Sequence, residues 1–249
     1  MRKQNILIFL NQNLATLKII AVGDTHGRDN WKDITASTRF DKIIFMGDYF
    51  DTHKNVTAEV QIKNFNEIIA YKNKLKDKAI LLLGNHDYHY LDPTYEKYSG
   101  FQPQHEQEIS DLLNNALEAN LIQISYVWHR FIFTHAGVTK TWCRENLIDI
   151  KDIENSLNNL FVRDPEAYMF TCGVFGDPSG NDVTQSPIWV RPNSLLQDKL
   201  DKYIQIVGHT QQDKLTLINN VAFIDTLGTS GEFLILEKDK ISSSTDEIS

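Results

Sequence analysis

Five short aliphatic runs in this chain each stop at a turn that offers Asp, His or Asn, and this repeated pattern constrains the fold more than any other feature. Leu17–Val22 runs into Gly23-Asp24-Thr25-His26-Gly27, and Lys42–Met46 into Gly47-Asp48-Tyr49-Phe50-Asp51. Ala79–Leu83 runs into Gly84-Asn85-His86-Asp87, His129–Phe133 into Thr134-His135-Ala136-Gly137, and Ile204–Val207 into Gly208-His209-Thr210. A short apolar run stopped by a polar turn reads as a buried strand ending at a functional loop. Packing gives a buried strand end no reason to choose Asp, His and Asn. Five such ends read as ligands converging on one metal site, with Gly23, Gly47, Gly84 and Gly208 permitting tight turns that bring the backbone close to it.

Between the runs the pattern changes period. Residues 29–38 read as a short helix or loop, and Thr57 to about Lys76 as a helix, with Thr57 and Glu59 as capping residues. Gln104–Asn120 places Ile109, Leu112, Leu113, Ala116 and Leu117 on one face, and Asp149–Phe161 does the same with Ile150, Ile153, Leu157 and Leu160. These faces read as core packing. Strand–helix–strand alternation predicts an α/β domain with a largely buried sheet. Leu121–Tyr126 and His129–Phe133 read as a hairpin pair, and Asn219-Asn220 as a hairpin turn between Leu215–Ile218 and Val221–Ile224. Asp87–Pro103 reads as a long loop, and Asp164–Gln185 as a polar, Gly-rich excursion. Leu195–Tyr203 reads as a further helix, and Phe233–Leu236 as the strand that closes the sheet. The predicted organisation is an N-terminal strand or arm over 1–16, one domain over 17–238 and a disordered Ser-rich tail over 239–249.

Composition bounds the functions available. A net charge of −8 disfavours nucleic acid and anionic membrane as partners. Arg2 and Lys3 before Ile6–Leu10 imitate the start of a signal peptide, but Asn11-Gln12-Asn13 breaks the apolar run too early. No stretch approaches the ~20 apolar residues needed to span a bilayer. The two cysteines, Cys143 and Cys172, sit in no ligand spacing and read as reduced thiols of a cytoplasmic protein.

The ligand types fit a two-ion site. Two divalent ions about 3.5–4 Å apart can clamp the attacking and leaving oxygens of a phosphoryl displacement, and holding them needs a bridging carboxylate. Asp24 and His26 lie two apart, so an extended backbone puts both on one face. Asp48 reads as the bridge, with Asn85, His135 and His209 completing the second ion. Mixed oxygen and imidazole ligands suit Mn first, with Fe or Zn as alternatives, over Ca or Mg. A lone His beside a strand is more often structural than a ligand. Here five ordered motifs use four of the eight histidines, which makes coincidence a poor account.

In order and spacing, from about Leu17 to Leu236, these motifs resemble the calcineurin-like metallophosphoesterase superfamily, and within it the bacterial and phage branch of the phosphoprotein phosphatases. Trp189-Val190-Arg191 and Ile224-Asp225-Thr226 resemble elements of that branch, and position 211 is Gln where many other members carry a second His. The resemblance implies a four-layer α/β/β/α sandwich with a dinuclear site at the strand ends. It implies that Asp24, His26 and Asp48 hold one ion and Asp48, Asn85, His135 and His209 the other. A bridging hydroxide would attack phosphorus, His86 would protonate the leaving oxygen with Asp51 orienting it, and Arg191 and Asn85 would steady the phosphate. The chain departs from the pattern after Asp51, where Thr52-His53 stands in place of Arg-Gly, leaving Arg28, Lys54 or Arg163 as substitutes for one phosphate-binding Arg. The third motif ends in Asp87, where the eukaryotic phosphatases have Glu. His53, Tyr88, His89 and Tyr90 read equally well as pocket lining and as loop polar residues.

The expected activity is metal-dependent hydrolysis of a phosphate ester, on a phosphoserine/threonine-type or small-molecule substrate. Alternatives are a dinucleoside polyphosphate hydrolase, a nuclease or cyclic-nucleotide phosphodiesterase, and an inactive scaffold; complete ligands argue against the last.

Overall fold

Side chains on alternate residues of the strands face opposite ways, and that alternation sorts the core into layers. A computed structural model describes residues 17–51, 56–173, 176–238 and 240–245. Its first sheet has the order β11-β10-β1-β2-β3-β4, built from β1 (Lys18–Val22), β2 (Lys42–Phe45), β3 (Ala79–Leu82), β4 (Ile122–Gln123), β10 (Leu234–Glu237) and β11 (Lys240–Ser243). The second has the order β5-β6-β7-β9-β8, from β5 (Ser125–Trp128), β6 (Phe131–Thr134), β7 (Ile204–Val207), β8 (Thr216–Ile218) and β9 (Val221–Phe223). Ile19, Ala21, Ile44, Met46 and Leu82 of the first sheet pack in one cluster with Phe131, Phe133, Ile206 and Ala222 of the second. This is the layer between the sheets.

The alternate residues Ile20, Val22, Ile43, Phe45 and Leu81 face the other way, onto helices. They meet Trp31 and Ile34 of α1 (Trp31–Ser37), Ile62, Phe65 and Ile68 of α2 (Ala58–Leu75), and Ile109 and Leu113 of α4 (Glu106–Glu118). Val207, Val221 and Phe223 on the outer face of the second sheet pack on Leu195 of α7 (Pro192–Asp198). Helix, sheet, sheet and helix thus stack in four layers, as the resemblance implied. A short α3 (Asn85–Tyr88), α5 (Lys140–Glu145) and α6 (Ile153–Arg163) complete the elements. No helix among the described residues is long and apolar enough to cross a membrane.

Four segments differ from the sequence expectation, one being the helix expected over Leu195–Tyr203, which runs over Pro192–Asp198 instead. Leu121–Tyr126 is not one strand: Ile122–Gln123 pairs in parallel with β3, whereas Ser125–Trp128 forms the hairpin with β6. The amide of Asn158 makes the change of sheet possible. Its Oδ1 accepts from Ile124 N at 2.9 Å and Ser125 N at 3.0 Å, and its Nδ2 donates to Ser125 O at 3.1 Å. Backbone groups that leave one ladder before entering the next are thereby satisfied. Asp87–Pro103 starts inside α3 rather than as a loop. The tail expected over 239–249 holds a strand instead: Lys240–Ser243 pairs antiparallel with β10, Leu236 opposite Ile241, and Ser244 N donates to Phe233 O at 3.0 Å. An alternating Ile241 among serines suits an edge strand with one packed face. The arm over 1–16 and residues 246–249 lie outside the described residues.

Candidate metal centre

β1, β2 and β3 run parallel, as do β6, β7 and β9, so the loops that follow β1, β2, β3, β6 and β7 open at the strands' C-terminal ends. The glycines at these ends serve close approach more than conformational freedom. A Cβ on Gly84 would lie 2.1 Å from Asp48 Oδ1, and one on Gly208 would lie 2.1 Å from Asp24 Oδ1. Positive φ occurs at Gly47 (φ 101°) and also on the chemical residues themselves: His26 (φ 44°), Asp48 (φ 52°), Asp51 (φ 56°) and His209 (φ 65°). Such conformations cost non-glycine residues roughly 1–3 kcal/mol each and cluster where a site is held in a fixed shape.

Asp87 joins two of these loops. Its carboxylate accepts from Asp48 N (2.8 Å), Tyr49 N (2.8 Å), Phe50 N (3.3 Å) and Gly84 N (3.0 Å). Burial and the Asp48 charge push Asp87 up to about 7, and the bonds from the Gly84 and Tyr49 N–H groups oppose that rise. Asp48 and Asp24 fix further loops: Asp48 Oδ1 accepts from His86 N at 2.9 Å, and Asp24 Oδ2 from His209 N at 2.9 Å.

Tautomers follow from the carbonyls beside the imidazoles. His26 Nδ1 lies 2.8 Å from Phe50 O, His135 Nδ1 2.8 Å from Met46 O, and His209 Nε2 3.1 Å from Trp189 O. A carbonyl only accepts, so each of these nitrogens carries the proton and the other nitrogen presents a lone pair. Those lone pairs converge on acceptors. His135 Nε2 lies 2.9 Å from Asn85 Oδ1 and 3.4 Å from Asp48 Oδ2, His209 Nδ1 2.8 Å from Asn85 Oδ1, and His26 Nε2 3.7 Å from Asp48 Oδ2. Asp24 Oδ1 is buried without a hydrogen-bond partner, and Asp24, Asp48 and His135 can reach one ion together.

Acceptors facing acceptors in a buried site call for a cation between them, so the donor set fits divalent metal. The local field agrees. Burial alone would lower the proton affinity of His135, but Asp48 and Asp24 outweigh it and raise it to about 10, so without a cation between these groups a proton occupies His135 Nε2 and supplies the positive charge. His135 and His86 hold Asp48 well below the ordinary carboxylate range despite its burial, whereas burial and Asp225 push Asp24 up.

His86 and Asp51 lie beside this centre. His86 Nδ1 is 3.1 Å from Asp51 Oδ2. The His86 imidazole is raised above its ordinary value, because the Asp48 and Asp51 charges exceed the opposing effect of burial. Asp51 has two further neighbours that the sequence left undecided. Tyr90 OH donates to its Oδ1 at 2.6 Å, and His89 Nε2 lies 2.8 Å from its Oδ2. Tyr98 N donates to His89 Nδ1 at 3.0 Å, which leaves the His89 proton on the side of Asp51. His89 and Tyr90 are fully buried behind Asp51, and Tyr88 OH bonds Pro165 O at 2.8 Å. His89 and Tyr90 support the site from behind, whereas Tyr88 packs away from it on Tyr95 and Phe161; His53 lies outside the described residues.

A cavity of about 260 Å³ covers the centre, lined by His26, Asp48, Asp51, His86, Arg191 and His209 together with Arg28, Ser99, Gln211 and Asp225. Arg191 is braced there by Nε to Ser179 O at 3.1 Å and Nη1 to Thr210 Oγ1 at 3.5 Å. Arg163, at the exposed end of α6, is not part of the lining, and Lys54 lies outside the described residues. All eight residues singled out for the site — Asp24, His26, Asp48, Asp51, Asn85, His86, His135 and His209 — therefore meet at one edge of the two sheets, with Arg191 in the wall.

Comparison with known proteins gives the same direction. A family model described as calcineurin-like phosphoesterase matches residues 17–213. A protein serine/threonine phosphatase from Saccharomyces cerevisiae, described as similar to human phosphatase PP5, superposes with a TM-score of 0.53 at 11% identity, over 94% of this chain and 80% of that one. That likeness is one of fold. A metallophosphoesterase from Sphaerobacter thermophilus superposes with a TM-score of 0.46 at 11% identity, over 94% of this chain and 88% of that one.

Proposed function

Because the chain belongs to the calcineurin-like phosphoesterase family, a family of metal-dependent phosphoester hydrolases, we propose that it is a phosphomonoesterase acting on a phosphoprotein or a small phosphate ester. The observation that carries this reading is the convergence of imidazole nitrogens, Asn85 Oδ1 and two buried carboxylates beside the Asp51–His86 pair. Asp24, His26 and Asp48 would hold one divalent ion, and Asp48, Asn85, His135 and His209 the second. Mn is the first choice for that mixed donor set, with Fe or Zn as alternatives. When bound, the ions supply positive charge against phosphoryl oxygens and lower the pKa of water.

The chain's own groups do the rest. Asp51 keeps the His86 imidazole protonated and oriented, so that His86 delivers that proton to the departing ester oxygen. Asn85 and Arg191 hold the phosphoryl oxygens, Arg191 through a guanidinium fork suited to them. Among the described residues, no aromatic ring other than imidazole lines the cavity. The described lining is polar and charged, which suits a small or protein-borne phosphate.

His86→Asn tests the reading directly. Metal analysis should find two ions per chain in both proteins, while kcat on p-nitrophenyl phosphate falls about a hundredfold or more in the variant. Undiminished turnover would take His86 out of the acid role. Preference for bis-p-nitrophenyl phosphate or diadenosine tetraphosphate over the monoester and a phosphoserine peptide would overturn the substrate class.

A further inference from the structure

The catalytic cavity has two guanidinium groups in its wall, and the reading above uses only Arg191. Arg28 stands on the His26 side of the cavity, and Arg191, through Thr210, on the His209 side. The Arg28 side chain is set in a built seat. Its Nη1 donates to Asp24 O and to Thr25 O, each at 3.2 Å. Its backbone is held as well, by Arg28 N to Thr25 O at 2.8 Å and Asn64 Nδ2 to Arg28 O at 3.1 Å. The plane of the guanidinium rests on Gly228: a Cβ there would lie 2.7 Å from Nη2, 2.9 Å from Cζ and 3.2 Å from Nε. A glycine opposite that group is what lets it lie flat against the wall. Asp225 lines the same cavity, and its charge falls on Asp24, among the carboxylates placed for metal.

We propose that Arg28 is a second anion-binding group of this site, which contacts a phosphate-type oxygen of the substrate from the side opposite Arg191. A guanidinium fixed by two backbone carbonyls and a glycine floor has lost most of its rotamer freedom before any ligand arrives, so little further ordering is needed on binding. Arg28 is the cationic side chain besides Arg191 that the described lining offers to an anion. The oxygen it meets belongs either to the phosphoryl group being transferred or to an anion on the leaving side. The chemistry is the same, and the test separates them.

This inference rests on the phosphoesterase reading, and the experiment distinguishes the two. Mn-loaded wild-type protein, Arg28→Ala and Arg28→Lys are titrated calorimetrically with inorganic phosphate, and turnover is measured on p-nitrophenyl phosphate and on pyrophosphate. One lost charge-assisted hydrogen bond predicts roughly tenfold weaker phosphate binding in Arg28→Ala, with partial recovery in Arg28→Lys. It also predicts a KM that rises more than kcat falls. An equal KM rise on both substrates assigns Arg28 to the transferred phosphoryl group; a rise confined to pyrophosphate assigns it to the leaving-side anion. A lowered melting temperature with phosphate affinity and the KM for both substrates unchanged in Arg28→Ala would make Arg28 a structural tie and overturn the proposal. Wild-type protein that binds no phosphate would instead remove the phosphoesterase reading, and this one with it.

Discussion

The loops after β1, β2 and β3 deliver Asp24, Asp48 and Asn85, whereas the loops after β6 and β7 deliver two imidazoles. The first set stands on left-handed backbone at His26, Asp48 and Asp51 and is laced together by Asp87. In the second set His209 is left-handed too, but each imidazole is fixed through its own ring, by Met46 O and by Trp189 O. One half is thus preorganised through the main chain and carries the charge. The other is preorganised through side-chain tautomers and is neutral when its lone pairs are in use. The first half should therefore govern whether any ion binds, and the second how many.

The strongest break of that comparison is the pair Asp48→Asn and His209→Ala. Asp48 faces His26 and His135 from a shared position, so its amide variant should lose both ions and essentially all turnover, while His209→Ala should keep one. Elemental analysis after gel filtration reads the difference, and equal loss in both variants would dissolve the distinction.

Asp87→Asn comes next. Asp87 Oδ2 accepts from Asp48 N and Gly84 N, and an amide NH₂ in that position would face two donors. Two buried hydrogen bonds lost predict a destabilisation of roughly 2–4 kcal/mol, read by denaturant unfolding. No such loss is expected from altering a loop of the second half that carries no comparable acceptor.

Within the second half the elements differ in exposure. Cys143 on α5 is buried, and burial together with Asp198 raises its thiol to about 12; Cys172, in the excursion between His135 and His209, is exposed. A native thiol titration should find one fast group, and unfolding should release the second.

The smallest effect is at Glu232, where the last strands meet the loop before β8. Burial pushes this carboxyl up, but the hydrogen bonds from Thr245 and from Leu215 N more than offset it, and its pKa is lowered. The unfolded chain then binds more protons, so this contribution is present above the ordinary Glu value near 4.3 and lost as pH falls through the folded value. Glu232→Gln should flatten the fall of melting temperature below about pH 4.5, by less than 1 kcal/mol given one exchanged neutral bond.

The candidate ligands were legible because each closes an aliphatic run, and a buried strand end with Asp or His has few other uses. Asp24, His26, Asp48, Asn85, His135 and His209 lie close together in the fold. The support behind them was not legible. His89 and Tyr90 alternate with no apolar period, and only the folded chain shows that both turn inward onto Asp51. The role of Asp87 depends on backbone N–H groups of a different loop, which no side-chain pattern records. The glycines were read as permitting tight turns; Gly47 does so with a positive φ, whereas Gly84 and Gly208 are needed for close contact with Asp48 and Asp24, and positive φ at Asp48 and His209 had no sign in the sequence. The split of 121–126 between two sheets turns on Asn158, whose helix gives no sign of it. The strand at Lys240–Ser243 was hidden by serines whose outward face needs no apolar residue.

β1, the first strand of the described chain, lies between β2 and β10, with Lys18 opposite Glu237 and Ala21 opposite Leu234. Asp24 and the His209 backbone that it fixes are 185 residues apart. During synthesis, the half of the site on β1, β2 and β3 leaves the ribosome long before its counterpart exists. One edge of β1 then stays without its hydrogen-bonding partner until almost the whole described chain has been made. A nascent chain of this design carries an open, aliphatic strand edge for most of its translation. Its vulnerability to aggregation should therefore track elongation time and chaperone supply more closely than the stability of the finished fold.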